Sequence, residues 1–209
     1  MTGKVHYATG IVFGIGAAYV AHKYFSGNPE IMQYGKAMGE IVSENLTIGS
    51  LELGKFVVGD IVRIIGIILL CGIGSLLPDI DHPTSTFSKK YFLLSIPFRI
   101  LQLIFGNFKA TKHFVGHRGI THSILFAIIF IVPIFFIDNI WIVLALLSLA
   151  IGIISHLLMD MLNPTGVPLL LPFTKKKFRL LPKKIAITTG WYKGLLFFTR
   201  DLLVLLFCC

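Results

Sequence analysis

Residues 60–78, DIVRIIGIILLCGIGSLLP, form an apolar stretch that only Asp60 and Arg63 interrupt. A transmembrane helix needs about 20 predominantly apolar residues, so this stretch predicts a span, which we place at about 54–77. Only 14% of the chain is charged, whereas soluble domains carry about 25% charged residues. The predicted fold class is therefore all-α: a polytopic membrane helical bundle of about four to five transmembrane helices, forming one domain over residues 1–209. The other predicted spans are residues 6–25, 121–137 and 141–162.

Two more apolar segments leave the number of spans open. Residues 92–105 contain Pro97 and Arg99, which favour an interfacial or re-entrant helix over a full span. Residues 194–209 are short for a span, and two charged residues interrupt them. Whether either segment crosses the membrane stays open at this point.

The basic residues predict the orientation of the bundle. The net charge is +9, and 14 of the 19 lysines and arginines lie at the N-terminus or in the connections 83–120 and 163–193. Because an excess of Lys and Arg marks the cytoplasmic side, we expect an inner (cytoplasmic) membrane protein whose N-terminus faces the cytoplasm. In a soluble protein this charge would suggest nucleic acid as a partner. Here the topology accounts for the charge, so membrane lipids are the expected partners.

Histidines and aspartates gather at the helix ends on this same side. Each residue taken alone could be an interfacial or capping residue, but four separated regions bring such groups to one membrane depth. An ionisable residue inside a span is costly unless it is paired or metal-bound. We therefore predict a shared metal site at the cytoplasmic helix ends. The predicted ligands are His6, Asp79, Asp81, His82, His117, His122, His156 and Asp160.

The ligand types indicate which metal such a site would hold. Imidazole and carboxylate are the usual ligands of Zn²⁺, and Mn²⁺ and Fe²⁺ also accept them. A set of this size suits one to two ions, and two-metal sites are typical of phosphoester hydrolysis. We expect a divalent metal, with zinc first. His22 falls on the opposite side, and His113 lies in the basic connection, so neither is included.

The motifs, in their order along the chain, carry a family resemblance. His6, then LLPDIDHP, HRGITHS and SHLLMDMLNPTG, resemble the YdjM family of inner-membrane-bound, metal-dependent hydrolases, LexA-regulated in some bacteria. The resemblance covers about residues 3 to 190. It implies a multi-span helical protein with a hydrolase site at the eight positions above, and a remote relation to the all-helical zinc phospholipases C. Family members often have a glutamate after the second basic connection, where this chain reads ITTGWYKG and has none.

The expected chemistry is metal-dependent hydrolysis of a phosphoester in a lipid or another amphiphilic anionic substrate. Either Asp79 or Asp81 would ligate the metal. The other would bridge two ions, orient a ligand histidine or act as general base; Asp81 and Arg118 are our catalytic candidates, with Arg118 binding phosphate. Two alternatives stay open from the sequence: a metal-binding membrane transporter or sensor, and a structural membrane protein in which the metal only clamps the bundle.

Overall fold

The computed structural model describes residues 3–26, 55–82, 85, 88, 92–106, 118–182 and 186. These residues are helical apart from loops and one isolated antiparallel bridge, which confirms the all-α prediction. The α-helices are α1 (Gly3–Ser26), α2 (Lys55–Gly74), α3 (Phe92–Phe105), α4 (Ile124–Ile131) and α5 (Ile140–Met161). Short 3-10 helices cover Leu77–Asp81, Ile120–His122 and Val132–Phe136.

Two helical segments of the described chain are long and apolar enough to cross a bilayer, Ile61–Asp81 and Ile140–Met161. α1 has 24 residues but does not reach the hydropathy of these two. The prediction of a full span at 121–137 meets a shorter apolar helical segment, Ile124–Phe136. Pro133 lies at the start of its 3-10 part. Since proline lacks the N–H that would continue the α-helical hydrogen bonds, the α-helix ends there. The total number of spans stays a prediction.

Two further sequence predictions concern the apolar segments 92–105 and 194–209. Phe92–Phe105 is helical with Pro97 inside it, and its apolar part is shorter than a span, as an interfacial or re-entrant helix would be. The apolar run 194–209 lies outside the described residues.

Small residues let the three long helices approach one another closely. Gly10 and Gly14 recur four apart on α1, and a Cβ on Gly14 would lie 2.9 Å from the Cα of Ile68 on α2. Where α5 meets the end of α2, a Cβ on Gly152 would lie 2.8 Å from the backbone nitrogen of Ser75. Backbones that nearly touch are the usual way in which helices associate in a bilayer, where burial of apolar surface gives no driving force.

The core is thin and the outer surface is apolar, as the bilayer requires. Ala18, Ile67 and Cys71 pack between α1 and α2, so Cys71 acts as a small buried hydrophobe. Large apolar side chains such as Leu93 and Leu103 are 79% and 74% exposed. Such exposure would be a liability in water, but it provides the surface that lipid chains cover.

The chain that follows α5 turns back beneath the helix ends. Val167 and Phe178 form the antiparallel bridge, and the backbone N–H of Leu180 donates to the carbonyl of Met161 at 2.9 Å. Buried Val167 and Leu171 anchor this return loop, residues 163–182. The loop lies at the end of α5 that carries His156 and Asp160.

Candidate metal centre

Four chain segments place five of the predicted ligands in contact. His6 lies in the first turns of α1, and Asp79 lies in the 3-10 helix that continues α2. His122 ends the 3-10 helix before α4, and His156 and Asp160 lie one turn apart near the end of α5. The described residues offer two groups whose ligand atoms all lie within 4.8 Å of one another: His6, Asp79 and His156, and His122, His156 and Asp160.

The local sequence explains the shape of two short 3-10 helices, Leu77–Asp81 and Ile120–His122. Pro78 occupies the first turn of the helix Leu77–Asp81, where its missing N–H breaks no bond. This tight turn places Asp79 beside His122 and His156. The second segment, Ile120–His122, follows Gly119 and leads into α4, which places the buried His122 ring beside α5.

Two histidine nitrogens form the middle of the cluster. Nε2 of His122 lies 3.3 Å from Nε2 of His156. Oδ2 of Asp160 lies 3.7 Å from the first and 3.9 Å from the second. Oδ1 of Asp79 lies 3.7 and 3.8 Å from the same two nitrogens. Both histidines are 0% exposed, so water does not screen this concentration of polar atoms.

The backbone fixes the protonation pattern of His156. Its Nδ1 lies 2.7 Å from the carbonyl oxygen of Ser75. A carbonyl only accepts hydrogen bonds, so Nδ1 carries the hydrogen and the neutral ring has its lone pair at Nε2. That lone pair faces the second imidazole and the carboxylates of Asp79 and Asp160.

His6 adds a third imidazole to the cluster. Its ring stacks on His156 with centroids 3.7 Å apart and an interplanar angle of 19°, and its Nε2 lies 3.5 Å from Oδ1 of Asp160. His6 is 1% exposed, and its Nδ1 has no hydrogen-bond partner among the described residues. Buried polar atoms are almost always satisfied, and a bound ion or its water would satisfy this one.

The donor set and its spacing fit a metal ion. A point equally distant from Nε2 of His122, Nε2 of His156 and Oδ2 of Asp160 lies about 2.1 Å from each atom, which is within the 2.0–2.2 Å of Zn–N and Zn–O bonds. These three atoms therefore surround a space of the right size without rearrangement. Ligation by these residues stays a prediction.

The other predicted site residues lie around this cluster in different ways. Asp81 is 4% exposed and accepts a hydrogen bond from the Thr121 hydroxyl at 2.8 Å. His82 is partly exposed and belongs to neither group of ligands in the described chain. His117 lies outside the described residues, so the prediction for it has no structural counterpart.

Arg118 lies at the edge of the cluster. Its Nη2 is 3.3 Å from Oδ2 of Asp160, and its side chain is 19% exposed. Nη1 donates to the hydroxyl of Thr165 on the return loop. The backbone of Arg118 adopts φ 61°, which is uncommon for a residue other than glycine and which turns the chain sharply before Gly119. The guanidinium therefore lies between the cluster and solvent.

Sequence reasoning missed residues that hold the ligands in place. Ser75 contributes a backbone carbonyl, which no side-chain pattern reveals. Asn163 donates from Nδ2 to Oδ1 of Asp160 at 2.9 Å, and its position three residues after Asp160 was the available signal. Thr121 also belongs to these residues, since its hydroxyl contacts Asp81 and His122.

Comparison with known proteins gives matches to one family. The family model described as YdjM inner membrane protein matches residues 1–208. The chain is 38% identical over 109 residues to the Inner membrane protein YdjM of Escherichia coli K12 and to its namesake in Shigella flexneri, covering 50% of this chain and 48% of each relative. It is 36% identical over 104 residues to the Uncharacterized protein YvsG of Bacillus subtilis, covering 49% of this chain and 54% of that protein. The chain spans about half the length of these curated relatives, and no solved structure matches.

Proposed function

Since the chain belongs to the YdjM family of inner membrane proteins, we propose that it is a membrane-bound, metal-dependent hydrolase acting on a phosphoester of an amphiphilic anionic substrate. The family places the protein in the inner membrane. The reaction, the metal and the substrate are our proposal, which we argue from the cluster at the helix ends.

One observation carries the proposal: two buried imidazole nitrogens, 3.3 Å apart, share their surroundings with two carboxylates. The hydrogen of His156 is on Nδ1, so its Nε2 presents a lone pair to Nε2 of His122 and to the two carboxylates. Buried charges and buried lone pairs are costly unless they are hydrogen-bonded, paired with an opposite charge or bound to a metal. A divalent cation would compensate this whole set at once, and histidine nitrogens with a carboxylate oxygen are typical ligands of zinc.

The shared histidine limits the number of ions. His156 belongs to both ligand groups, but its Nδ1 is held by Ser75. Only Nε2 is available, and one imidazole nitrogen binds one ion. We therefore propose a single ion, held by the fully buried group of His122, His156 and Asp160.

Two residues on the open side would act on the substrate. The side chain of Asp79 is 13% exposed, against 3% for Asp160, so we assign Asp79 as the general base, which accepts the proton from the attacking water. Arg118 is partly exposed beside Asp160, and its guanidinium would bind the phosphate oxygens and stabilise the charge that develops there. When bound, zinc would lower the pKa of water towards 7 and polarise the phosphoryl group.

The return loop supports an amphiphilic anionic substrate. Leu170, Phe173 and Leu180 are 40%, 82% and 52% exposed, and Lys175–Lys177 and Arg179 are exposed beside them. Near an anionic membrane surface each Lys or Arg contributes about 1 kcal/mol of attraction. The loop that reaches Asp160 through Asn163 thus combines cations with apolar contacts, as a lipid headgroup and its chains require.

The first test is metal content by elemental mass spectrometry on the detergent-purified protein. Wild type should contain about one zinc, which His156→Ala should lose. His22→Ala is the matched control, because His22 is exposed on α1 away from the cluster. Asp79→Asn should keep the metal and lose phosphoester hydrolysis. Folded wild type that takes up no zinc, manganese or iron after reconstitution would disprove the metallohydrolase.

Activity then separates the hydrolase from a metal clamp or a transporter. Purified protein in nanodiscs should release product from bis-nitrophenyl phosphate or from anionic phospholipids such as phosphatidylglycerol and phosphatidic acid. Arg118→Gln is the diagnostic variant, because a clamp does not need a partly exposed guanidinium. A metal that binds stoichiometrically while none of these phosphoesters is cleaved would favour the clamp, and zinc uptake into sealed vesicles would favour the transporter.

A further inference from the structure

We propose that Asp81 and Thr121 act together as positioning residues for His122, with Asp81 outside the metal's coordination shell. The inference rests on the proposed metal centre and refines it. It replaces our sequence-based assignment of Asp81 as a ligand and catalytic residue. In its new role Asp81 is connected to the ligand His122 through two successive hydrogen bonds.

The direction of the hydrogen bonds follows from the chemistry of the three groups. The Thr121 hydroxyl lies 2.8 Å from Oδ2 of Asp81, and an ionised carboxylate only accepts, so the threonine donates its single hydrogen there. The same hydroxyl oxygen lies 3.2 Å from Nδ1 of His122. With its hydrogen committed to Asp81, the oxygen accepts at that contact, and Nδ1 of His122 must donate.

This arrangement selects one tautomer of His122. A neutral ring with its hydrogen on Nδ1 has its lone pair on Nε2, the atom that faces His156 and Asp160. Asp81 approaches the ring on the Nδ1 side, with Oδ2 at 3.9 Å. That distance exceeds a hydrogen bond, so the carboxylate acts on the ring through the threonine.

The three residues are held where this relay needs them. Asp81, Thr121 and His122 are 4%, 3% and 0% exposed, so the hydrogen bonds are screened from water. Gln102 of α3 donates to the backbone carbonyl of Asp81 at 2.7 Å, which anchors the end of the Leu77–Asp81 helix. α3 therefore supports the centre from a distance, and the position of Asp81 does not depend on a metal.

The relay parallels the one at His156, where the Ser75 carbonyl fixes the tautomer directly. Both imidazoles of the proposed ligand group thus have a partner at Nδ1 and a lone pair at Nε2. Partners of this kind orient metal-binding histidines, and their loss typically lowers metal affinity about 10–100-fold.

The test is zinc affinity by competition with a chromophoric chelator, together with the visible spectrum of the Co²⁺-loaded protein. Thr121→Val keeps the shape of the side chain and removes the hydroxyl; we expect affinity to fall about 10–100-fold, with one ion still bound at saturation. Thr121→Ser should restore the affinity. Thr9→Val is the control, because the Thr9 hydroxyl bonds only to backbone carbonyls, including that of His6.

Asp81→Asn keeps the proposal falsifiable if Thr121→Val does not fold. If Asp81 is a positioning residue, the Asp81→Asn variant should bind zinc more weakly, while the band positions of its Co²⁺ spectrum stay unchanged. Combining the two substitutions should cost little more than either alone, because both interrupt one relay. A changed Co²⁺ spectrum in Asp81→Asn, or unchanged affinity in Thr121→Val, would overturn the relay while the metal centre stands. Wild type without metal would overturn the centre itself.

Discussion

Gly152→Ala should damage the metal centre although no ligand changes. A Cβ at this position would lie 2.8 Å from the backbone nitrogen of Ser75 and closer still to the Cys71 carbonyl. Ordinary contacts begin near 3.5 Å, so α2 and α5 must separate by at least about 0.7 Å. The bond from His156 Nδ1 to the Ser75 carbonyl, now 2.7 Å, would lengthen to about 3.4 Å, beyond the usual limit of about 3.2 Å.

The expected cost has two parts that can be measured separately. Overpacking should lower the unfolding free energy by about 1–3 kcal/mol, seen as a lower thermal midpoint in detergent. Loss of the carbonyl partner should lower zinc affinity about tenfold or more. Gly66→Ala is the control on α2, because a Cβ there meets nothing within 4 Å. If Gly152→Ala binds zinc as wild type does, the proposed coupling between helix contact and metal centre is wrong.

Four further predictions address other parts of the molecule. Asn139→Ala should lower the unfolding free energy by about 0.5–2 kcal/mol, because the Asn139 side chain caps α5. Asp138→Ala at the exposed neighbouring position is the control and should lower the unfolding free energy less. Calorimetry of the two variants would compare these losses. Arg118→Gln should slow phosphoester hydrolysis about 10²–10³-fold with zinc content retained. Chelation should lower the thermal midpoint, and zinc at 100 times its Kd should restore about 2.7 kcal/mol. In a cysteine-free background, Lys176→Cys should react with impermeant maleimide only from the cytoplasmic side and Asp138→Cys only from the opposite side.

Hydropathy and spacing were sufficient to predict the long helices α1, α2 and α5 and which of their ends carry the polar residues. His156 and Asp160 are four residues apart, so one helical face had to hold both. The alternation of spans indicated that His6, Asp79 and His122 lie at the same depth. The structure brings these residues together, and the family match confirms the resemblance that their motifs carried.

The sequence could not predict how the helices are placed laterally or what the second layer of contacts does. Gly152 contacts α2 where the two helices cross, and no residue pattern in either helix alone predicts that crossing. Asp79 and Asp81 lie two residues apart directly after the same apolar run, yet Asp79 faces the imidazole Nε2 atoms and Asp81 accepts a hydrogen bond from Thr121. Side-chain direction in a short 3-10 helix depends on what packs around it, so only the assembled bundle separates the two aspartates.

The cluster unites groups from nearly opposite ends of the described chain, since His6 contacts Asp160. During synthesis His6 of α1 is made long before α5, so its contacts with His156 and Asp160 form only after α5 has emerged. A nascent chain that ends before α5 lacks His156 and Asp160, so the proposed ion would load only at a late stage of biogenesis. Metal acquisition would then report completed insertion, and a chain stalled or truncated before α5 would remain inert.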